Sequence, residues 1–347
     1  MAQADLITNK SNIRYLSNFN GSSGFMLITK GKKYLFTDFR YIERAKSSIK
    51  KGITLIDITR VWRNPVELKK HWQDTLKKHH ITSLGIEEDD LTIDRFKRYK
   101  KMSGKMKYHD ISGKYAKVRE IKSAQELKFI EKSQQINEKV FKEVKKIIMT
   151  SKGPVVEQDM AWKIKELGFK YGAEDVSFDP IVAFGKNSAI PHHEPGNTKL
   201  KKNDIVLIDM GMKYKGYCSD MTRTFFTGKP TKHQAEVYNL VLESQLQAIA
   251  KIKAGVSGKK ADQYSREIIE KAGYGDFYGH AGGHGVGLDI HESPALSSKY
   301  TGKIRKGTVI TIEPGVYLAG KFGVRIEDMV LVQEKGVKNL SKIPKKI

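Results

Sequence analysis

The sequence predicts an α/β (α+β) chain divided into two domains, and three observations carry that expectation. Its 347 residues exceed one typical domain of about 150 residues. Short apolar runs alternate with stretches of helical periodicity over the first 120 residues. Near Gly113 to Ile121 the pattern breaks, and Ser123-Ala124-Gln125-Glu126 then supplies the capping-box signal that opens a long helix. Residues 1–120 are therefore expected to form a first domain and residues 121–347 a second.

In the first domain, Gly24 to Thr29 and Tyr34 to Thr37 flank Lys30-Gly31-Lys32-Lys33, which reads as two strands and a turn. A helix from about Tyr41, a strand at Ile53 to Ile58, a helix from about Val66 to His80 and a strand at Ser83 to Ile86 complete the unit. None of these segments gathers acids or histidines into a cluster. In the second domain the helix opened by Ser123 keeps Leu127, Ile130, Val140, Phe141, Val144, Ile147 and Ile148 on an apolar stripe up to the breaker Gly153-Pro154.

Charge and cysteine content narrow the chemistry. The chain has 63 Lys+Arg against 39 Asp+Glu, a formal charge of +24, and its densest basic stretch is Arg95 to Lys107. Such an excess is the first footprint of a nucleic-acid binder. It is read here as a lysine-rich solvated surface, because long-range charge governs solubility and nonspecific attraction and not fold. The single cysteine, Cys218, allows neither an intramolecular disulfide nor a thiolate zinc cluster. Any metal must be held by carboxylates and imidazoles. Met1-Ala2-Gln3-Ala4-Asp5 lacks the basic and apolar regions of a secretory signal, and no apolar run reaches the roughly 18 residues of a membrane span. A cytoplasmic location without a membrane partner is expected.

The chemistry lies after residue 175. Asp209 ends the apolar run Ile205-Val206-Leu207-Ile208, where an ionised carboxylate is costly unless it is paired or bound to a cation. A turn centred in Lys213-Tyr214-Lys215-Gly216 would set Asp220 directly opposite Asp209. Like charges facing each other across a ladder are destabilising, so this pair suggests a metal. Glu313 and Glu327 repeat the arrangement if a hairpin closes around Gly320, although Pro314 removes a ladder donor. Between the two pairs lies the run from Gly279 to Glu292, whose glycines let His284 point into a crowded site. Four carboxylates balance two divalent cations, with one neutral imidazole. An oxygen-dominated shell suits Mn²⁺ first, with Co²⁺, Fe²⁺ or Zn²⁺ possible by substitution. Two such ions can activate one water and polarise a carbonyl, which is the chemistry of amide hydrolysis.

Several longer runs carry a resemblance: Asn12 to Leu16, Gly21 to Gly24, Thr37 to Tyr41, Ser177 to Ala183, Pro191-His192-His193, Ser219 to Thr224, the Gly-His-Gly run, Thr311 to Gly315 and Gly323 to Asp328. With them the chain resembles the M24 metallopeptidases, in the aminopeptidase P and prolidase branch. The resemblance implies a creatinase-like N-terminal domain, a pita-bread catalytic domain, proline-containing peptide substrates and a homodimer. It implies Asp209, Asp220, His284, Glu313 and Glu327 as metal ligands, with Asp220 and Glu327 bridging. Glu313 would also handle the proton of the attacking water, and His192 and His291 would contact the scissile bond. His280 and Arg325 fall at substrate-binding positions, whereas His193 is read as a bystander and Cys218 as packing. Aminopeptidase P action on longer Xaa-Pro peptides is favoured here over prolidase action on Xaa-Pro dipeptides, because no obvious extra loop is present to exclude longer chains. Methionine aminopeptidase, which shares the five ligands, and a nonenzymatic pita-bread binding module, motivated by the charge, are the more distant readings.

Overall fold

The structure, a computed structural model, describes residues 2–62 and 64–346. The chain divides into two compact units, Met1–Arg119 and Glu120–Ile347. In the first, a six-stranded sheet runs in the order Ile53–Asp57, Lys32–Thr37, Phe25–Thr29, Ala2–Ile7, Ile81–Ile86, Lys107–Asp110. Alternation places Phe25, Leu27, Tyr34 and Phe36 in one core with Trp72 and Tyr99, and Met26 and Leu35 in the opposite core with Ile13 and Phe19. The turn is tighter than the sequence suggests. Thr29 pairs with Lys32, so only Lys30-Gly31 remain outside the ladder, with Gly31 at φ 107°.

The central strand Ala2–Ile7 goes beyond the sequence expectation, because Asp5 interrupts its apolar pattern. That carboxylate is buried and accepts hydrogen bonds from Tyr115 OH and Lys114 Nζ, both at 2.5 Å. Its partners lie more than 100 residues away. The motif residues of this unit also act structurally. Asn12 Nδ2 donates to buried Glu87 Oε1 at 2.5 Å, and Arg40 grips Asp38 through two bonds of 2.8 and 2.7 Å.

Most of the basic stretch lies on the helix Ile93–Ser103, capped by Thr92 Oγ1. Phe96, Tyr99 and Met102 turn toward the core while Lys97, Lys100 and Lys101 are exposed. This is the solvated face of an amphipathic helix. Charge reversal at those three lysines should change thermal stability by no more than about 0.5 kcal/mol, measured by calorimetry. A larger loss would mean that the lysines make contacts the exposed face does not offer.

In the second unit the capping box is formed: Ser123 Oγ accepts from Glu126 N, and the Glu126 side chain returns to the cap backbone. The helix runs Ala124–Thr150 and buries Ile130, Ile136, Val140, Phe141, Val144 and Ile148. Its buried face also carries polar groups with a task. Asn137 Nδ2 donates to Met210 O at 2.8 Å and Ser133 Oγ to Met212 O at 2.6 Å. These bonds hold the chain where it leaves the strand Ile205–Met210 and enters the strand Met212–Tyr214 of another sheet. The intervening Gly211 has Ser219 O so close that an added Cβ would sit 2.0 Å from it. No larger residue fits.

Candidate metal centre

Two antiparallel hairpins bring the carboxylates together. In the first, Tyr214 pairs with Tyr217 across Lys215-Gly216, which have φ of 50° and 81°. The same register continues into the next ladder, where Asp209 pairs with Thr222 and Met210 with Met221. Asp209 and Asp220 are therefore not directly opposite, as the sequence suggests. The turn is centred one residue later than expected, between Lys215 and Gly216, because two consecutive positive-φ residues close it. Asp220 shares Thr222's side of the strand and is Asp209's diagonal neighbour.

In the second hairpin the register agrees with the sequence expectation. Ile312 pairs with Asp328 in one ladder and Gly315 with Arg325 in the next, so Glu313 and Glu327 fall at the break between them. Pro314, unable to donate, occupies that break, and its carbonyl accepts from Ile326 N at 3.4 Å. His284 stands on the strand Gly283–Gly285 beside Val309–Ile312. Gly283 makes this approach possible, since a Cβ there would meet Thr311 O at 2.1 Å.

Ligand atoms of Asp220, His284 and Glu327 lie within 4.8 Å of one another. His284 Nε2 is 3.4 Å from both Asp220 Oδ2 and Glu313 Oε1. Its Nδ1 is 3.1 Å from Gly285 O, so Nε2 faces the carboxylates; burial opposes a charge on the ring, but Asp220 and Glu313 outweigh it and raise its pKa to about 9, so a metal ion would displace the Nε2 proton. Glu327 is 2% exposed and accepts from Thr222 Oγ1 at 2.7 Å. Asp209 accepts from Arg325 Nη2 through Oδ2 at 2.7 Å, while its Oδ1 is buried without a partner. Asp220 Oδ1 is likewise buried and unpaired.

Burial first, then the charge of the neighbouring carboxylates, pushes the Asp220 and Glu327 carboxyls above the usual range. A cation among these groups would relieve both that repulsion and the orphaned oxygens. Asp220, His284 and Glu327 thus fit a divalent ion, with Glu313 beside His284 and Asp209 engaged by Arg325.

The remaining histidines surround this cluster differently. His291 is exposed, and its ring lies 4.4 Å from that of His284. Partial desolvation by the groups packed around it, then the neighbouring His284, holds its pKa below the usual value. His192 is exposed on the loop that follows Gly185–Ala189. His280 belongs to a directed chain: Arg325 Nη1 donates to Tyr317 OH at 2.7 Å, and Tyr317 OH lies 2.9 Å from His280 Nε2. With His280 Nδ1 2.8 Å from Ala281 O, the consistent assignment is a neutral ring with its proton on Nδ1. Burial, more than any neighbouring charge, likewise lowers its pKa.

Arg325 is 4% exposed and heavily committed within the protein, with further bonds to Thr222 Oγ1 at 3.0 Å and Pro191 O at 3.3 Å. Sequence reasoning missed Tyr317, Thr222 and Arg223. The usable signal was Arg223 itself, a charge in the middle of a fully buried strand that had to find partners. They are Asp328 Oδ1 at 2.7 Å, Glu327 O at 2.6 Å and Ile343 O at 2.8 Å. Cys218 is buried, and burial pushes its thiol up to about 12, which suits packing and not nucleophilic chemistry.

Two family models match the chain: Metallopeptidase family M24 over residues 128–334 and Creatinase/Prolidase N-terminal domain over residues 2–121. The solved structure of a Xaa-Pro dipeptidase from Bacillus anthracis is 36% identical with a TM-score of 0.93, covering 100% of this chain and 94% of that one. An X-Pro aminopeptidase from Thermotoga maritima is 34% identical with a TM-score of 0.89, covering 99% and 97%. A Xaa-Pro dipeptidase from Pyrococcus horikoshii is 35% identical over 99% of this chain and 94% of its own length.

Proposed function

The chain belongs to metallopeptidase family M24 and is a Xaa-Pro metallopeptidase, and from that premise we propose that it acts as a Xaa-Pro dipeptidase with two divalent cations. Its fold is a creatinase-like N-terminal domain followed by a pita-bread domain. The observation that carries the dipeptidase reading is full-length similarity at 35–36% identity to proteins bearing that name. It reverses the preference for longer peptides drawn from the sequence alone. Charge adds support. Four carboxylates balance two divalent ions, so Arg325 leaves one positive charge at the site, suited to the single terminal carboxylate of a dipeptide.

Asp209, Asp220, His284, Glu313 and Glu327 would hold the ions, with Asp220 and Glu327 shared between them. Mn²⁺ is the first choice for so oxygen-rich a shell, ahead of Co²⁺, Fe²⁺ and Zn²⁺. When bound, such ions acidify water and polarise a carbonyl. Glu313 takes a proton from the attacking water and returns it to the leaving proline nitrogen. His291 and His192 direct N–H groups at the oxygen that gains negative charge. Proline has a fixed ring and its nitrogen carries no amide hydrogen, so recognition needs a shaped pocket, for which neutral His280 forms a wall. Arg325 orients Asp209 and supplies the positive charge.

Metal-supplemented hydrolysis of a Xaa-Pro dipeptide beside the matching Xaa-Pro-Yaa tripeptide tests this reading. The expected kcat/KM favours the dipeptide by at least about tenfold, the yield of one charge-assisted contact worth about 1.4 kcal/mol. Preference for the tripeptide would restore the aminopeptidase P reading.

A further inference from the structure

His192 is exposed, yet both of its chain neighbours are fastened. Pro191 O accepts from Arg325 Nη1 at 3.3 Å. On the other side, His193 Nε2 lies 2.9 Å from Glu157 Oε2. Glu157 opens the helix Glu157–Lys170 and is 0% exposed. It also accepts from Phe184 N at 2.7 Å, Asn187 Nδ2 at 2.9 Å and Gly196 N at 3.3 Å. One buried carboxylate thus gathers donors from both ends and the middle of the segment 184–196, which carries His192. A carboxylate removed from water needs such donors, and a segment that supplies them loses its freedom to move.

We propose that the Glu157–His193 pair is a positioning device for His192, holding an exposed histidine at a set place over the scissile bond. This rests on reading His192 as an oxyanion contact. His193 itself touches no substrate. Its effect is transmitted through the backbone, so its loss should reduce turnover and not metal binding. A displacement of about 1 Å can lower a rate by up to 100-fold.

The test compares His193→Ala, His193→Gln and His192→Ala, alone and combined, in the Mn²⁺-loaded enzyme. His193→Ala should lower kcat about 10- to 100-fold with KM within about threefold and metal content unchanged. His193→Gln, which keeps a side-chain N–H of similar reach, should recover most of that loss. In a His192→Ala background, His193→Ala should have no further effect on kcat. Independently of activity, amide exchange in residues 184–196 should accelerate in His193→Ala while residues 205–226 stay protected. Additive losses in the double variant, or unchanged exchange in 184–196, would overturn the proposal. A wild-type enzyme inactive on every Xaa-Pro peptide would instead refute the functional reading, and the exchange measurement would still decide whether the pair pins the segment.

Discussion

Replacing Glu327 by glutamine is expected to strip both divalent ions from the second unit and to reduce turnover by at least about 10³-fold, which corresponds to roughly 4 kcal/mol of lost activation. Glu327 is proposed to bridge, so its charge serves both ions, and at 2% exposed it lies largely out of reach of bulk solvent. Asp220→Asn should behave in the same way. Removal of Asp209, whose Oδ2 is engaged by Arg325, should weaken one ion more than the other. Metal analysis after Mn²⁺ reconstitution reads the first effect and steady-state kinetics the second. A Glu327→Gln enzyme that kept two ions and near-normal turnover would sink the ligand assignment.

The pH dependence has a definite sign. In the protein alone, burial and mutual repulsion raise the Asp220 and Glu327 carboxyls above their usual range, so metal binding must displace protons from them. Affinity should therefore fall on acidification, by about tenfold per pH unit for each proton displaced. Titration of Mn²⁺ binding between neutral and mildly acid pH measures this. An affinity independent of pH would show that these carboxyls are not the groups deprotonated on binding.

The second large effect is expected from Arg223→Ala. Arg223 and Asp328 form an ion pair of 2.7 Å with side chains 3% and 0% exposed. Breaking such a pair from one side leaves an uncompensated buried charge, typically a loss of about 3–5 kcal/mol. The lower end is expected here, because Lys345 Nζ at 2.5 Å and Asn339 Nδ2 at 2.8 Å still face Asp328. For a unit of this size that is roughly a 10 °C drop in Tm, which calorimetry would resolve. Activity should fall too, since Arg223 Nη1 donates to the carbonyls of both Thr222 and Glu327 and so aligns the strands that carry the site.

Acid narrows the gap between variant and wild type. Burial would raise the Asp328 carboxyl, but Arg223 and Lys345 outweigh it and hold the group below the usual range. Its contribution to stability is therefore present at neutral pH and is lost as pH falls through that depressed value, below about 4. A variant within about 1 kcal/mol of wild type at neutral pH would mean that the pair is dispensable.

What could be read from the sequence alone shared one property: the signal and its consequence lay close together along the chain. Ser123 and Glu126 announce a helix because their side chains reach backbone groups within one turn. Glu313 and Glu327 fall opposite each other because the hairpin around Gly320 carries one register through two ladders. The family runs brought with them the expected fold and the Xaa-Pro chemistry. Where a local rule had two solutions, the reading missed. Asp209 and Asp220 read as face to face because the four-residue stretch from Lys213 to Gly216 does not by itself say where its turn is centred, and moving that centre by one residue shifts every pairing by two.

Tertiary structure alone decided the partners of buried charge. Asp5 interrupts an apolar strand pattern until Lys114 and Tyr115 reach it, and Glu157 is matched by His193 and Gly196, 36 and 39 residues away. Arg223 finds Asp328 across 105 residues, and Arg325 meets Asp209 across 116. Local periodicity depends on neighbours three or four positions away and is written into every segment. The desolvation of a charge depends on whatever chain happens to cover it, which no segment specifies until all of them have packed.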